Sequence, residues 1–130
     1  HSDSWYEKKL GKEWVLRKVI MGLIVQYEMG NDDIAMNRLR SVERHFESFF
    51  TNPAYKRVKR FLGFVKDFIN DPESVTTPEF DKKVSDSKMF LPDDYEDIRA
   101  IAFYCWLKSK MLKEPYYKVL VERVNARVEI

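Results

Sequence analysis

Hydrophobic and polar residues alternate along this chain in steps of three and four, which is the period of one face of an α-helix. The pattern predicts six helices, so the expected fold class is all-α. The predicted helices cover approximately Trp5 or Lys12 to Met29, Asp32 to Phe50, Pro53 to Asn70, Pro78 to Ser87, Asp93 to Lys113, and Pro115 to Arg127. The chain has only four glycines, which disfavours a β protein rich in tight hairpins.

Short polar breaks separate the predicted helices. At the clearest break, Gly30 can take the left-handed conformation that ends a helix. Asn31 or Asp32 can then cap the next helix, with Asp33 in its first turn. A link of two or three residues forces the flanking helices into an antiparallel αα-hairpin. Similar breaks recur at Thr51–Pro53, Thr76–Pro78 and Lys113–Pro115.

Two predicted helices contain runs that are hydrophobic on nearly every side, Val19–Val25 and Phe103–Leu107. A helix of this kind is usually covered on more than one face. For the first run we favour a central position in the core over a contact surface. For the second, two interpretations carry equal weight. Either the sixth helix and the N-terminal segment cover it, or part of it lacks a partner within the chain.

Length and composition indicate the class of protein. A chain of 130 residues suits one compact domain, which we place at residues 5–130. Charged residues make up 34% of the chain, yet the net charge is only +2, so no global field attracts nucleic acid or an anionic membrane. The longest apolar stretch is far shorter than the roughly 20 residues that span a bilayer, which predicts a soluble chain. We interpret His1–Ser4 as a tag remnant, and the missing initiator Met fits a fragment of a larger protein.

Candidate chemistry is sparse. Cys105 is the sole cysteine, which fits a reducing compartment, and we predict a cytoplasmic location. Its mid-helix position is typical of a small buried apolar residue rather than a nucleophile. His45 is the only internal histidine and lacks a helical metal-site spacing. We therefore predict no catalytic residue, metal or cofactor. An enzyme stays the least favoured hypothesis, because it would need acidic and aromatic residues to converge in space.

The first predicted hairpin resembles the tetratricopeptide repeat, whose pattern is W-x2-L-G-x2-Y followed by A-x3-F. Leu23, Tyr27 and Ala35 match that pattern in type. Other residues stand where the family has Trp, Gly and an aromatic residue, namely Ile20, Ile24 and Leu39. A second echo of the pattern consists of Ile98, Ile101, Ala102 and Cys105. The expected architecture is a TPR-like α-α superhelix or an irregular helical bundle.

This resemblance implies a function in protein–protein interaction. In the family, the first helix of each hairpin lines a concave surface for a protein or peptide partner. The implied role is a non-catalytic scaffold or oligomerisation domain, which binds another protein or a second copy of itself to form a homo-oligomer. By register, the implied partner-binding residues are Lys18, Met21, Val25, Glu28, Arg99, Phe103 and Trp106.

A cluster of basic residues supports an alternative from a different class, a nucleic-acid-binding helical domain. Lys56, Lys59 and Arg60 fall near one side of the predicted third helix, opposite its apolar face. Arg40 and Arg44 would extend the cluster if the second and third helices are adjacent. No groove-reading motif accompanies these residues, and such a run usually marks a solvated helix face. Nucleic acid is therefore the less favoured partner, and a membrane is not expected.

Overall fold

The structure is a computed structural model that describes residues 2, 8, 11–87 and 98–128, without the side chains of residues 54, 98–101, 124 and 126–128. These residues form six α-helices and three short 3-10 helices, with no strand among them, which confirms the all-α prediction. The α-helices are α1 (Lys12–Glu28), α2 (Asp32–His45), α3 (Lys56–Asn70), α4 (Pro78–Asp86), α5 (Ile98–Leu112) and α6 (Tyr116–Val128). The 3-10 helices are Phe49–Thr51, Pro53–Tyr55 and Pro72–Thr76. The helix starts expected near Trp5 and Asp93 lie outside the described residues.

The chain divides into two compact units, His1–Lys59 and Arg60–Ile130, with the boundary inside α3. The first unit holds the α1–α2 hairpin, and the second holds the α5–α6 hairpin. The organisation into one domain over residues 5–130 stays a prediction.

The turn between α1 and α2 is built around Gly30, as the sequence predicts. Gly30 has a φ of 83°, and its N–H donates to the Tyr27 carbonyl at 2.9 Å. The Asn31 N–H donates to the Gln26 carbonyl at 2.9 Å. Together these bonds form a Schellman motif, which satisfies carbonyls that the end of a helix leaves without partners. The turn reverses the chain within three residues and so makes α1 and α2 antiparallel neighbours.

The expected side-chain cap on α2 is absent. Asn31 occupies the N-cap position, but its side chain accepts no hydrogen bond from α2. The Asn31 amide donates instead to Gln26 Oε1 at 2.9 Å, which ties the turn back to α1. Asp32 and Asp33 lie in the first turn of α2, where carboxylates stabilise the positive end of the helix dipole.

The predicted end of the second helix is wrong by five residues, because α2 ends at His45 rather than at Phe50. The chain then tightens into the 3-10 helix Phe49–Thr51. In this arrangement the Phe49 ring stacks on Tyr55, with ring centroids 4.0 Å apart. Phe46 and Phe50 are both buried. Aromatic packing across the break thus replaces the last turn of α2.

In the second unit, α3 and α4 pack through aromatic residues. The Phe64 and Phe80 rings meet edge to face at a centroid distance of 5.8 Å. Thr77 caps α4, because its Oγ1 accepts a hydrogen bond from the Phe80 N–H at 3.2 Å. The link before α4 forms the 3-10 helix Pro72–Thr76, whose Val75 is buried.

The α5–α6 hairpin turns at a residue other than glycine. Lys113 has a φ of 54°, and the Glu114 N–H donates to the Ser109 carbonyl at 3.1 Å. Lys113 therefore holds the left-handed position that Gly30 holds in the first hairpin. The Tyr116 hydroxyl donates to the Ala102 carbonyl at 3.1 Å and ties the start of α6 to α5.

Candidate interaction surface

A stripe of exposed side chains runs along α1 and consists of four predicted partner-binding residues, Lys18, Met21, Val25 and Glu28, all of which are exposed. We call these four residues the α1 stripe. They follow one another in steps of three, four and three, so they share one side of the helix. The two apolar residues of the stripe are largely exposed, Met21 at 49% and Val25 at 45%.

The opposite side of α1 forms the core of the first unit. Its buried residues are Val15, Leu16, Ile20, Leu23 and Ile24. The favoured interpretation, a central position of the run Val19–Val25 in the core, therefore does not hold for Met21 and Val25. This apolar run is divided between a buried face and the α1 stripe, so the contact-surface interpretation fits the structure better.

Sequence reasoning missed two exposed apolar residues at the end of the same hairpin. Met29 follows the stripe and is 67% exposed, and Ile34 in the first turn of α2 is 46% exposed. Met29 lies four residues after Val25, so the helical spacing alone could have placed it beside the stripe. Isolated apolar residues are normal on protein surfaces, whereas a row of them on one helix marks a candidate contact site.

Gly22 lies beside the stripe, and the tip of the Arg38 side chain comes close to it. A Cβ built on Gly22 would lie 3.0 Å from Nη1 of Arg38. Arg38, on α2, is exposed and places a positive charge at this edge of the hairpin. A glycine inside a helical pattern could have signalled this close approach.

Two of the three predicted partner-binding residues on α5 are buried. Phe103 is only 8% exposed and Trp106 only 5% exposed, which contradicts the interpretation in which part of this run lacks a partner within the chain. All five residues of Phe103–Leu107 are buried. Arg99 lies in α5, but its side chain is outside the part of the chain that the structure describes.

Contacts within the second unit account for this burial. The Trp106 ring meets Phe68 edge to face at a centroid distance of 5.8 Å, and the Lys110 ammonium lies 5.9 Å from the Trp106 ring centroid. Cys105 packs with Val119 of α6 in a buried cluster. The sixth helix thus covers part of the α5 run, which was one of the two interpretations of the sequence.

The basic residues of the nucleic-acid alternative lie on two helices. Arg40 and Arg44 are exposed on α2, and Lys56 and Lys59 are exposed on α3. Arg60 is also exposed, but its Nη1 donates to the Ser87 carbonyl at 3.1 Å. That hydrogen bond gives Arg60 a structural role at the end of α4.

In the described part of the chain, three tyrosines have a raised pKa, chiefly because burial disfavours the charged phenolate. Tyr116 owes its raised pKa to burial, and the nearby Cys105 adds to it. Tyr27 owes its raised pKa to burial and to the acidic residues near it. For Tyr55, burial is again the main cause of the raised pKa, and Glu13 Oε2 contributes by accepting a hydrogen bond from the phenol at 3.4 Å. Each of these phenols is therefore a neutral hydrogen-bonding group near pH 7.

Reactive side chains are not gathered in the described part of the chain. Across residues 11–87 and 98–128 no group of three or more His, Cys, Asp and Glu side chains is placed to hold a metal ion. Cys105 is buried in the second unit. His45 is exposed, and its ring meets the Phe46 edge at a centroid distance of 4.8 Å.

Among the described helices, none combines the length and the apolar character that crossing a membrane requires. Comparison of the chain with protein-family models, curated proteins and solved structures finds no match.

Proposed function

We propose that this chain is a non-catalytic helical interaction domain that binds a protein or peptide partner on the α1 stripe. The observation that carries the proposal is the exposure of Met21 and Val25 on the outer side of a helix whose other side is packed. Two apolar side chains one turn apart, with Lys18 at one end and Glu28 at the other, form an apolar centre with charged ends. Interaction surfaces commonly have this arrangement.

The resemblance of the α1–α2 hairpin to a tetratricopeptide repeat supports the same proposal. In that family the first helix of a hairpin carries the partner-binding residues, and here the first helix carries the stripe. The second pair of candidate contacts, Phe103 and Trp106, is buried and has no part in the proposed site. We therefore confine the binding site to the first unit.

The exposed area suggests how strongly a partner can bind. Full burial of a Met or Val side chain contributes about 1.5–3 kcal/mol. Because Met21 and Val25 are about half exposed, covering each would add about 1 kcal/mol. A surface of this size fits a weak or transient contact rather than a permanent one.

Met21→Asp tests the proposal, because it places a charge in the middle of the stripe without touching the core. Leu112→Asp is the matched control, since Leu112 is 48% exposed and lies in the second unit. Affinity capture from native extract, quantified for each bait, should show partners that bind the wild type and Leu112→Asp but not Met21→Asp. We expect the affinity to fall at least tenfold, from lost apolar burial and the cost of desolvating a carboxylate.

Circular dichroism should show that both variants keep their helix content. If Met21→Asp captures the same partners as the wild type, with equal affinity, the α1 stripe is not the binding site.

A further inference from the structure

We propose that the partner of the α1 stripe is a second copy of this chain, bound so that the two α1 helices run antiparallel. This inference rests on the proposed function, because it names the occupant of the same surface. It is carried by the order of charges and apolar groups along the stripe, which reads positive, apolar, apolar, negative from Lys18 to Glu28.

The spacing of the stripe is that of a coiled-coil contact. Steps of three and four keep the side chains on one line as two helices pack side by side. A two-fold axis halfway between Met21 and Val25 places Met21 of one copy opposite Val25 of the other. The same axis places Lys18 of one copy opposite Glu28 of the other, because both residues lie five positions from it. One symmetry operation therefore matches apolar with apolar and positive with negative at every position of the stripe.

Other arrangements of two α1 helices lose this match. A parallel pair in register would place Lys18 opposite Lys18 and Glu28 opposite Glu28, and like charges repel. An antiparallel pair shifted by seven residues would place Lys18 opposite Met21 in one direction, or Glu28 opposite Val25 in the other. Each shift desolvates a charge against an apolar side chain, which is costly. The charge order thus selects one register.

The surroundings of the stripe permit the approach of a second helix. Met29 lies one turn after Val25 and extends the apolar surface at one end of the stripe. Lys18 and Glu28 already make contacts within their own chain, but both are exposed. Contacts between exposed charged side chains contribute little to stability, so rearranging the contacts of Lys18 and Glu28 costs little. The contact spans about three helical turns, so we expect a weak and reversible association.

Charge reversal tests the proposal directly. The Lys18→Glu variant would place a glutamate at position 18 of each copy opposite Glu28 of the other copy. The Glu28→Lys variant would place a lysine at position 28 of each copy opposite Lys18 of the other copy. Each single variant should therefore associate with itself at least about tenfold more weakly than the wild type, as measured by sedimentation velocity over a concentration series. Arg40→Glu, an exposed reversal on α2, should associate like the wild type.

A mixture of the Lys18→Glu and Glu28→Lys chains shows whether the weaker association is caused by the proposed pairing of positions 18 and 28 or only by the change in net charge. In a mixed pair, Glu at position 18 of one chain faces Lys at position 28 of the other, and the second pair keeps its wild-type residues. The mixture should therefore regain an association within about threefold of the wild type. The double variant Lys18→Glu/Glu28→Lys should regain it as well. If each single variant associates as strongly as the wild type, or if the mixture is as weak as its components, the proposed register is overturned.

Disulfide trapping tests the same register without changing charge. A mixture of the Met21→Cys and Val25→Cys chains should form mainly mixed disulfides, because those two positions face each other across the axis. Cys105 is buried and does not compete. Disulfides that form mainly within each single variant would indicate a parallel pair and overturn the proposal.

The oligomeric state of the wild type distinguishes the inference from the proposed function. A wild type that stays monomeric up to about 1 mM overturns the self-association. If capture of another protein then still depends on Met21, the proposed function holds, and the partner of the α1 stripe is that other protein rather than a second copy of the chain. If neither self-association nor capture depends on Met21, both proposals fail.

Discussion

Replacing Gly30 with alanine should destabilise the first unit by about 1–2 kcal/mol, because an L-residue pays that cost in the left-handed conformation. Gly30 has a φ of 83° and forms the Schellman turn that joins α1 to α2. No heavy atom lies within 4 Å of a Cβ built at this position. The expected loss therefore comes from the backbone conformation alone and not from a collision with neighbours.

Gly63→Ala is the matched control, because it makes the same chemical change in equally open space. A Cβ built on Gly63 also meets no atom within 4 Å, but Gly63 lies inside α3 with no positive φ. Alanine is favoured over glycine in a helix interior by about 1 kcal/mol, since it loses less backbone entropy on folding. The two substitutions should therefore shift stability in opposite directions.

Urea unfolding followed by circular dichroism at the helix band measures both changes as free energies of unfolding. In a thermal melt, each kcal/mol corresponds to a shift of about 4 °C for a chain of this length. Amide hydrogen exchange should localise the effect of Gly30→Ala to α1 and α2, and that of Gly63→Ala to α3. If Gly30→Ala is as stable as the wild type, the left-handed turn is not as described, and the antiparallel pairing of α1 and α2 loses its basis.

Three further predictions concern the second unit. Lys113→Gly should stabilise it by about 1 kcal/mol in urea unfolding, because Lys113 holds a φ of 54° that glycine adopts without strain; an unchanged midpoint would contradict this. Thr77→Ala should lower the free energy of unfolding by about 1 kcal/mol through loss of the α4 cap, whereas Thr77→Ser should retain most of it. Burial raises the pKa of Tyr116 above 10.0, so the folded chain keeps this proton to higher pH than the unfolded chain does. The contribution of Tyr116 to the free energy of unfolding is therefore fully present below about pH 10, and it is lost as the pH rises through the pKa of Tyr116 in the folded chain. In an alkaline titration, the Tyr116→Phe variant should lose less stability than the wild type.

The features that the sequence predicted correctly are those set by neighbouring residues. The helix stop at Gly30 and the start at Thr77-Pro78 depend on backbone conformation and on a hydrogen bond three residues away. Such signals are readable because their physical cause lies within one turn of chain. The end of α2 was missed for the opposite reason. It depends on the packing of Phe49 against Tyr55. Tyr55 lies beyond the break, so the periodicity of hydrophobic residues within α2 does not indicate this contact.

Of the predicted partner-binding residues, four on α1 are exposed and two on α5 are buried, and the reason for the difference lies in what hydrophobic periodicity can report. The runs in α1 and α5 both look apolar on every side, which indicates only that a helix needs several neighbours. In α5 those neighbours belong to the chain itself: Phe68 packs against Trp106, and Val119 against Cys105. In α1 the packing leaves Met21 and Val25 exposed. Periodicity cannot separate these cases, because burial depends on residues distant in sequence.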